Sequence, residues 1–493
     1  MASKAIVLGS GFSGLSSAAY LAKHGFKVDI LEQCSTSGGR ARRMESHGFT
    51  FDMGPSWYWM PEIFEKFFLN FGYQTSDFYK LKRLDPSYRM FFAKDNYIDI
   101  PSKPKELYQL FESIEKGSSK KLKKFLADAH RKYAFVMKNA VYKPGFSALE
   151  YLDLRLLTGL FYTKSVRSLS SYVRSLFKEP RLMHLLEFPV LFLGASKDIP
   201  ALYTLMNYAD LKLGTWYPQG GMYKIVEAML EICRKLDVEI TYNVKVDQLD
   251  ILKNKVIAAH SGHRNFYADY FVSSADYQYT DRQMLPAKFS NYSEKYWDSR
   301  VLAPSALTFF IGVNKKLPKL LHHNLFFEAD TDYYAEEIYK KPVWPESPAM
   351  YVSVSSKSDP STAPEGSENL VVLIPVAPNL EDHGRVREYY FDMLIGKLES
   401  YTGTSIRENI VYHRSYAHSD FIKDYNSYKG NAFGLANTLK QSGIFKPKIK
   451  NKNLPNLFYT GQFTVPGPGV PFTIISGEIV AQQVFKASGG YKN

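Results

Sequence analysis

The chain has 493 residues, 45% of them hydrophobic and 15% aromatic, which excludes a disordered protein and suits about three domains of roughly 150 residues each. Lys and Arg number 62 against 49 Asp and Glu, a net charge of +13 that suits an anionic partner; with no nucleic-acid motif and no basic tail, a membrane surface is expected and nucleic acid is not. Two cysteines, Cys34 and Cys233, exclude a disulfide framework or a Cys-x-x-Cys site, and both read as small buried hydrophobes.

The chain enters its first apolar run, "KAIVLG" (4–9), without the charged, apolar and cleavage regions of a signal peptide, so a cytoplasmic location is expected. That run reads as a buried parallel strand. Small and apolar residues then recur at helical spacing from Phe12 to His24, Gly25 supplies a stop, and "KVDILE" (27–32) is a second strand. Between them Gly9, Gly11 and Gly14 form Gly-x-Gly-x-x-Gly in the β-α-β setting that it requires. The first allows a tight turn, the second lets the backbone approach a pyrophosphate, and the third permits close helix packing. Glu32 follows Gly11 by 21 residues, where a carboxylate grips ribose hydroxyls and repels a 2′-phosphate. "SGGRARR" (37–43) adds a second phosphate-reaching loop, with Gly38 and Gly39 for close approach and Arg40 to fork onto phosphate oxygens. Gly54-Pro55 makes a further tight bend. A plain nicotinamide enzyme needs no second loop, whereas an extended FAD does.

"RLDPSYRMFFAKDNYIDIPSK" (83–103) predicts a hairpin around Asp95-Asn96. Residues 105–210 are mostly helical by pattern, broken at Pro144 and Pro180, with a basic cluster at Lys120, Lys121, Lys123 and Lys124 beside apolar runs such as "LRLLTGLFYTKSVRSL". Lysines that snorkel while neighbours dip below headgroups would dock such a region on a membrane; a solvated helix face is the plainer alternative. Residues 215–249 read as turn, helix and strand, and "ADYFVSSAD" (268–276) as another strand. Runs at 307–314, 324–330, 350–356 and 369–378 predict strands of a mixed sheet. The uncharged stretch Asn453 to Gly477 is long enough for a bilayer, but four prolines and four glycines prevent one continuous helix. It reads instead as a strand at Leu457 to Thr460, a Pro/Gly loop, and a helix from about Thr473 to Phe485.

Val-x-Gly-x-Gly-x-x-Gly-Leu, the following Glu, Gly-Gly-Arg-Ala and Asp-x-Gly-Pro together resemble the bacterial-type phytoene and carotenoid desaturase family of the flavin amine-oxidase superfamily. "SDPSTAPEGSENLVVLIPVAP", "DFIKDYNSYKGNAFGLANTLKQSGIFKPK" and "TVPGPGVP" carry the resemblance from residue 4 to about 485, most weakly between about 105 and 210. It implies an α/β fold: a Rossmann-type FAD domain (1–80, 215–298, 452–493), an inserted mixed-sheet substrate domain (81–104, 299–451), and a helical, membrane-associating subdomain (105–214). It implies FAD contacts at Gly9, Gly11, Phe12, Ser13, Gly14, Glu32 and Gln33. It extends them to Gly38, Gly39, Arg40, Gly54, Pro55 and Ser56. Val246, against the adenine, and Ala275 follow, then Gly461, Gln462 and Val470 beside the flavin. Gln462-Phe463 departs from relatives that place Gly or Asp there.

The chemistry implied is removal of two hydrogens from adjacent carbons of a C30–C40 polyene, most directly phytoene toward lycopene. The alternative is a late 3,4-desaturation of a γ-carotene-like or 1-hydroxy carotenoid. Quinone or oxygen would take the electrons, at the cytoplasmic face of a membrane. The proton acceptor is not identifiable, and no histidine set suggests a metal: His322-His323 would point apart in a strand. A flavin amine oxidase and a non-enzymatic isoprenoid carrier are the readings from other classes.

Overall fold

In the computed structural model, which describes residues 2–147, 150, 167–191, 193–195, 197–327 and 331–490, Lys4–Leu8 is a central strand because Ala5, Ile6, Val7 and Leu8 are all buried. It lies in a five-stranded, all-parallel sheet in the order Leu457–Tyr459, Tyr270–Ser273, Lys4–Leu8, Lys27–Leu31, Glu239–Thr241. The run "EITYNV" stops pairing at Thr241, since Asn243 turns into the left-handed region at φ 55°. An antiparallel meander, Gln248–Leu252, Lys255–Ser261 and Arg264–Tyr267, follows.

The second large sheet has seven strands. Their order is Ile410–Tyr416, Ser305–Val313, Glu368–Val376, Met350–Ser353, His323–Phe326, Tyr88–Ala93, Asn96–Ile100, antiparallel except where His323–Phe326 meets Tyr88–Ala93. Every residue of Ser305–Val313 is buried, as expected of a strand covered on both faces. All strands of the parallel sheet fall within 1–80, 215–298 and 452–493, and all those of the mixed sheet within 81–104 and 299–451. The hairpin Arg43–Ser46 and Phe49–Asp52 crosses that division, because Phe49 and Phe51 pack in one cluster with Phe310 and Tyr416 of the mixed sheet.

Helices Pro104–Ile114, Ser118–Asn139, Leu169–Arg174 and Pro180–Glu187 form the third layer. Most of the run "LRLLTGLFYTKSVRSL" and the end of the strand expected at 324–330 lie outside the described residues. On Ser118–Asn139, Lys120, Lys123 and Lys124 are exposed. Lys121 is not part of that free face: it is paired with Glu115 at 2.6 Å. No helix among the described residues is long and apolar enough to cross a membrane.

The last helix spans Val470–Ala487, three residues earlier than its apolar pattern predicts, because Pro471 sits in the first turn where no backbone donor is needed. It crosses Phe12–Lys23 closely. A Cβ on Gly477 would stand 2.6 Å from Ser16 Cβ and 2.7 Å from Ser13 O, and Ser16 Oγ donates to Ile474 O at 2.7 Å.

Candidate functional site

Gly9 turns the chain out of its strand at φ 94°, and the helix that follows can seat there only because position 14 lacks a side chain: a Cβ on Gly14 would lie 2.0 Å from Gly9 O. At Gly11 a Cβ would meet nothing within 4 Å. One side of this turn is therefore closed by packing and the other is open.

The open side is the end of a cavity of about 510 Å³. Gly9, Gly11, Phe12 and Ser13 line it, as do Glu32 and Gln33 at the end of the second strand. Gly38, Gly39 and Arg40 form one rim, with Gly54, Pro55 and Ser56 beside them. Val246 follows the strand Glu239–Thr241 and Ala275 the strand Tyr270–Ser273, and Gly461, Gln462 and Val470 come from the Pro/Gly loop and the last helix. Of the residues singled out above, only Gly14 does not line the cavity; it acts by packing behind it.

Glu32 is buried and already engaged. Its carboxylate accepts from Ser10 N at 2.7 Å, Ser10 Oγ at 2.6 Å and Cys34 N at 2.8 Å, so it braces the glycine turn as well as facing the cavity. Gln33 donates to Asp424 O and accepts from Asn426 at 2.9 Å. The Arg40 guanidinium donates through Nη2 to Ser427 Oγ (3.1 Å) and Asn431 O (3.4 Å) and stacks on Tyr425. Its second nitrogen branch is thus held by the 427–431 loop rather than free to fork. Nε, buried, has no partner among the described residues. Burial lowers the Arg40 pKa against the opposing pull of Asp276, and burial likewise pushes the Asp276 carboxyl up to about 6, offset in part by Arg40. Gln462 reaches Asn431 at 3.2 Å and ties the Pro/Gly loop to the same segment.

The cavity continues, apolar, between the mixed sheet and the helical layer. Trp57, Trp59, Phe188, Leu205 and Met206 line this end, with Tyr351 on the sheet side. Trp59 is oriented by a buried chain: its Nε1 donates to Thr215 Oγ1 (2.9 Å), which donates to Asp210 (3.2 Å), and Tyr88 donates to the other Asp210 oxygen (2.7 Å). Trp57 stacks on His323 with ring centres 4.1 Å apart, and His323 Nδ1 lies 2.7 Å from Tyr351 Oη. The expectation that His322 and His323 point apart is corrected. His322 sits in the bend before the strand that begins at His323, and the two rings meet edge-on at 4.4 Å. Among the described residues no cluster of three metal-ligating side chains occurs.

Trp57, Trp59, Tyr351 and Asp276 are functional candidates that sequence reasoning misses. The first two carry a signal, since "SWYW" directly follows Gly54-Pro55, and Asp276 directly follows Ala275 as the N-cap of Tyr277–Arg282; Tyr351 comes from a distant strand and carries none.

Lys446 is buried behind Asn437 and Gly467 of the cavity wall and donates to Asn437 Oδ1 at 3.0 Å. Burial lowers its pKa to about 7. Between about 7 and the ordinary 10.5, the unfolded chain therefore binds the proton that the folded chain has lost, so stability rises with pH across that window and the cost of burying the cation is fully present below it. In denaturant titrations of the apoprotein, Lys446→Met should flatten that rise relative to the parent; parallel curves would show that the amine is solvated in the fold.

The model of flavin containing amine oxidoreductases matches residues 12–485. The chain belongs to that family. A carotenoid 3,4-desaturase of Haloarcula japonica is 37% identical over 97% of this chain and 97% of its own. A zeta-carotene-forming phytoene desaturase of Myxococcus xanthus is 30% identical over 97% and 93%. Among solved structures, an oxidoreductase of Methanosarcina mazei superposes with a TM-score of 0.63, covering 97% of this chain and all of that one at 17% identity, a likeness of fold. The cofactor of this flavin amine oxidoreductase is FAD, and the residues present suit it. The helices Phe12–Lys23 and Val470–Ala487 both begin at the cavity with their positive ends, the Gly11 side is open, and Arg40 Nε is a buried donor awaiting an anion.

Proposed function

We propose that the protein is an FAD-dependent carotenoid desaturase, and the observation that carries this is one cavity running from glycine-lined turns at one end to aromatic and aliphatic walls at the other. The substrate is a C30–C40 polyene that loses two hydrogens from adjacent carbons. In this reading Gly9, Gly11, Glu32, Arg40 and Gly461 hold the cofactor, and Trp57 and Trp59 hold the polyene against it. When bound, FAD supplies the two-electron acceptor for a hydride leaving an allylic carbon. The neighbouring carbon must then release a proton. Tyr351 Oη is placed to take it as its own proton passes to His323 Nδ1, leaving the new C=C bond and an imidazolium behind. Burial and the adjacent His322 hold the His323 pKa well below its usual range. A carbon beside a developing cation is acidic enough for so weak a base.

The 37% relative named for 3,4-desaturation, against 30% for the one named for phytoene, favours the late end-group step on a γ-carotene-like or 1-hydroxy carotenoid over the stepwise conversion of phytoene. The net charge supports a peripheral place on an anionic membrane surface; the cytoplasmic face, and quinone or oxygen as final acceptor, are part of the same proposal. The test is incubation of the FAD-loaded protein in liposomes with phytoene or with γ-carotene, followed by absorption spectra of the extracted pigment. A red shift with γ-carotene alone supports the late step, a stepwise shift from phytoene the early one, and silence in both overturns the reading. In the same assay Tyr351→Phe should lower kcat by roughly 10²-fold with flavin content unchanged. Undiminished turnover would remove Tyr351 from proton transfer.

A further inference from the structure

Two residues of the cavity wall, Tyr203 and Asn437, are hydrogen-bonded to the same surface segment. Tyr203 Oη lies 3.3 Å from Ser442 Oγ, and Asn437 accepts from Lys446. Between those anchors the chain makes two short turns, Leu439–Gln441 and Gly443–Phe445, which hold Leu439 54% and Phe445 57% exposed. Gln441 draws in a third apolar side chain. Its Oε1 accepts from Val301 N at 2.9 Å, its Nε2 donates to Val301 O at 2.8 Å, and the Val301 side chain is exposed. Lys448 draws in a fourth: its Nζ donates to the carbonyls of Gly145 (2.6 Å) and Ile444 (3.1 Å), which places exposed Phe146 beside this segment.

Cations stand among these side chains. Lys440 is exposed, and Lys448 and Arg300 are partly so. The acids nearby are engaged: the Glu150 carboxylate accepts from the backbone of Gly145 and Phe146, and Asp298 is paired with Lys429 at 2.9 Å.

We propose that this surface, centred on Leu439 and Phe445, docks the protein on an anionic lipid bilayer. Large apolar side chains ringed by Lys and Arg can enter the acyl boundary while the cations stay at headgroup level. Its attachment to Tyr203 and Asn437 places the docked bilayer next to the cavity wall. This rests on the carotenoid reading for its purpose, since such a substrate is available only from the bilayer. The exposed face of Ser118–Asn139 offers a different interaction. Lys120, Lys123 and Lys124 stand there with His130 and Arg131, and that helix exposes no large apolar side chain. It attracts a membrane at a distance and is screened by salt.

The test is co-sedimentation of the FAD-loaded full chain with vesicles of phosphatidylglycerol and phosphatidylcholine, at low and high salt. Leu439→Asp with Phe445→Asp should lower the partition coefficient at least tenfold at both salts. Replacing Lys120, Lys121, Lys123 and Lys124 by Gln should weaken it only at low salt. In the Leu439→Trp variant, lipids brominated along the acyl chain should quench added fluorescence at the new side chain, a readout that survives if the double variant fails to fold. Unchanged partition of the folded double variant, or no quenching in Leu439→Trp, overturns the proposal. So does a parent that ignores vesicles but self-associates through Leu439 and Phe445, which would make the patch an interface between copies. Pelleting does not depend on turnover, so a protein inert toward both pigments sinks the carotenoid reading and leaves the docking result to stand by itself.

Discussion

Gly14→Ala is expected to yield protein that is both destabilised and free of flavin. The added Cβ would lie 2.0 Å from Gly9 O and 3.1 Å from both Gly9 C and Ser274 Oγ. Those neighbours cannot give way easily, since Gly9 is pinned at φ 94° and its N–H donates to Leu31 O at 2.8 Å. The helix must therefore back off the sheet. Overpacking of this kind costs about 3 kcal/mol, which corresponds to roughly 3 °C in the Tm of an apoprotein of 493 residues. Gly11→Ala separates structure from binding, because its Cβ meets nothing within 4 Å in the cavity wall. That variant should keep the parental Tm without cofactor and yet lose flavin. Thermal melts of both apoproteins, with the ratio of flavin to protein absorbance, check the pair; equal Tm losses would mean that both glycines serve packing.

Glu32→Arg is expected to reduce bound flavin below one tenth of the parental ratio. The carboxylate accepts three hydrogen bonds from Ser10 and Cys34, and buried donors left without an acceptor cost about 1–3 kcal/mol each. The new guanidinium would also enter a region that already holds Arg42, whose Nη1 lies 3.5 Å from Cys34 Sγ. Glu32→Gln retains an acceptor and should fall between the two. Flavin absorbance of the purified variants decides the matter: full stoichiometry in Glu32→Arg would detach this residue from the ribose and from the turn alike.

The cofactor end is legible in the sequence because its determinants are local. Glycines at fixed offsets in a β-α-β frame report a turn, a close approach and a helix contact within a few residues of one another; the structure has the turn at Gly9 and the helix contact at Gly14, with Gly11 open to the cavity. The apolar end is not legible in the same way. Tyr351, His323 and Trp57 meet through sheet register and ring stacking between segments nearly 300 positions apart, and no periodicity within a segment encodes that. Ile410–Tyr416 escapes notice as a strand because it is the sheet's edge: His413 and Arg414 face solvent, so its apolar pattern is too thin to stand out. The basic cluster at Lys120 to Lys124 is visible as composition, but composition does not show that Lys121 is already paired with Glu115.

The parallel sheet is assembled from strands beginning at residues 4, 27, 239, 270 and 457, and the helix that seals the glycine turn runs to residue 487. During synthesis the amino-terminal turn therefore emerges long before its closing partner. Gly461, Gln462 and Val470 are still inside or near the ribosome while hundreds of earlier residues are already outside, so the wall they complete cannot form until they too have emerged. Loading with the cofactor then follows the folding of the amino-terminal strands rather than starting it. Loss of even the final thirty-odd residues should leave a chain whose apolar cavity stands open to chaperones and proteases.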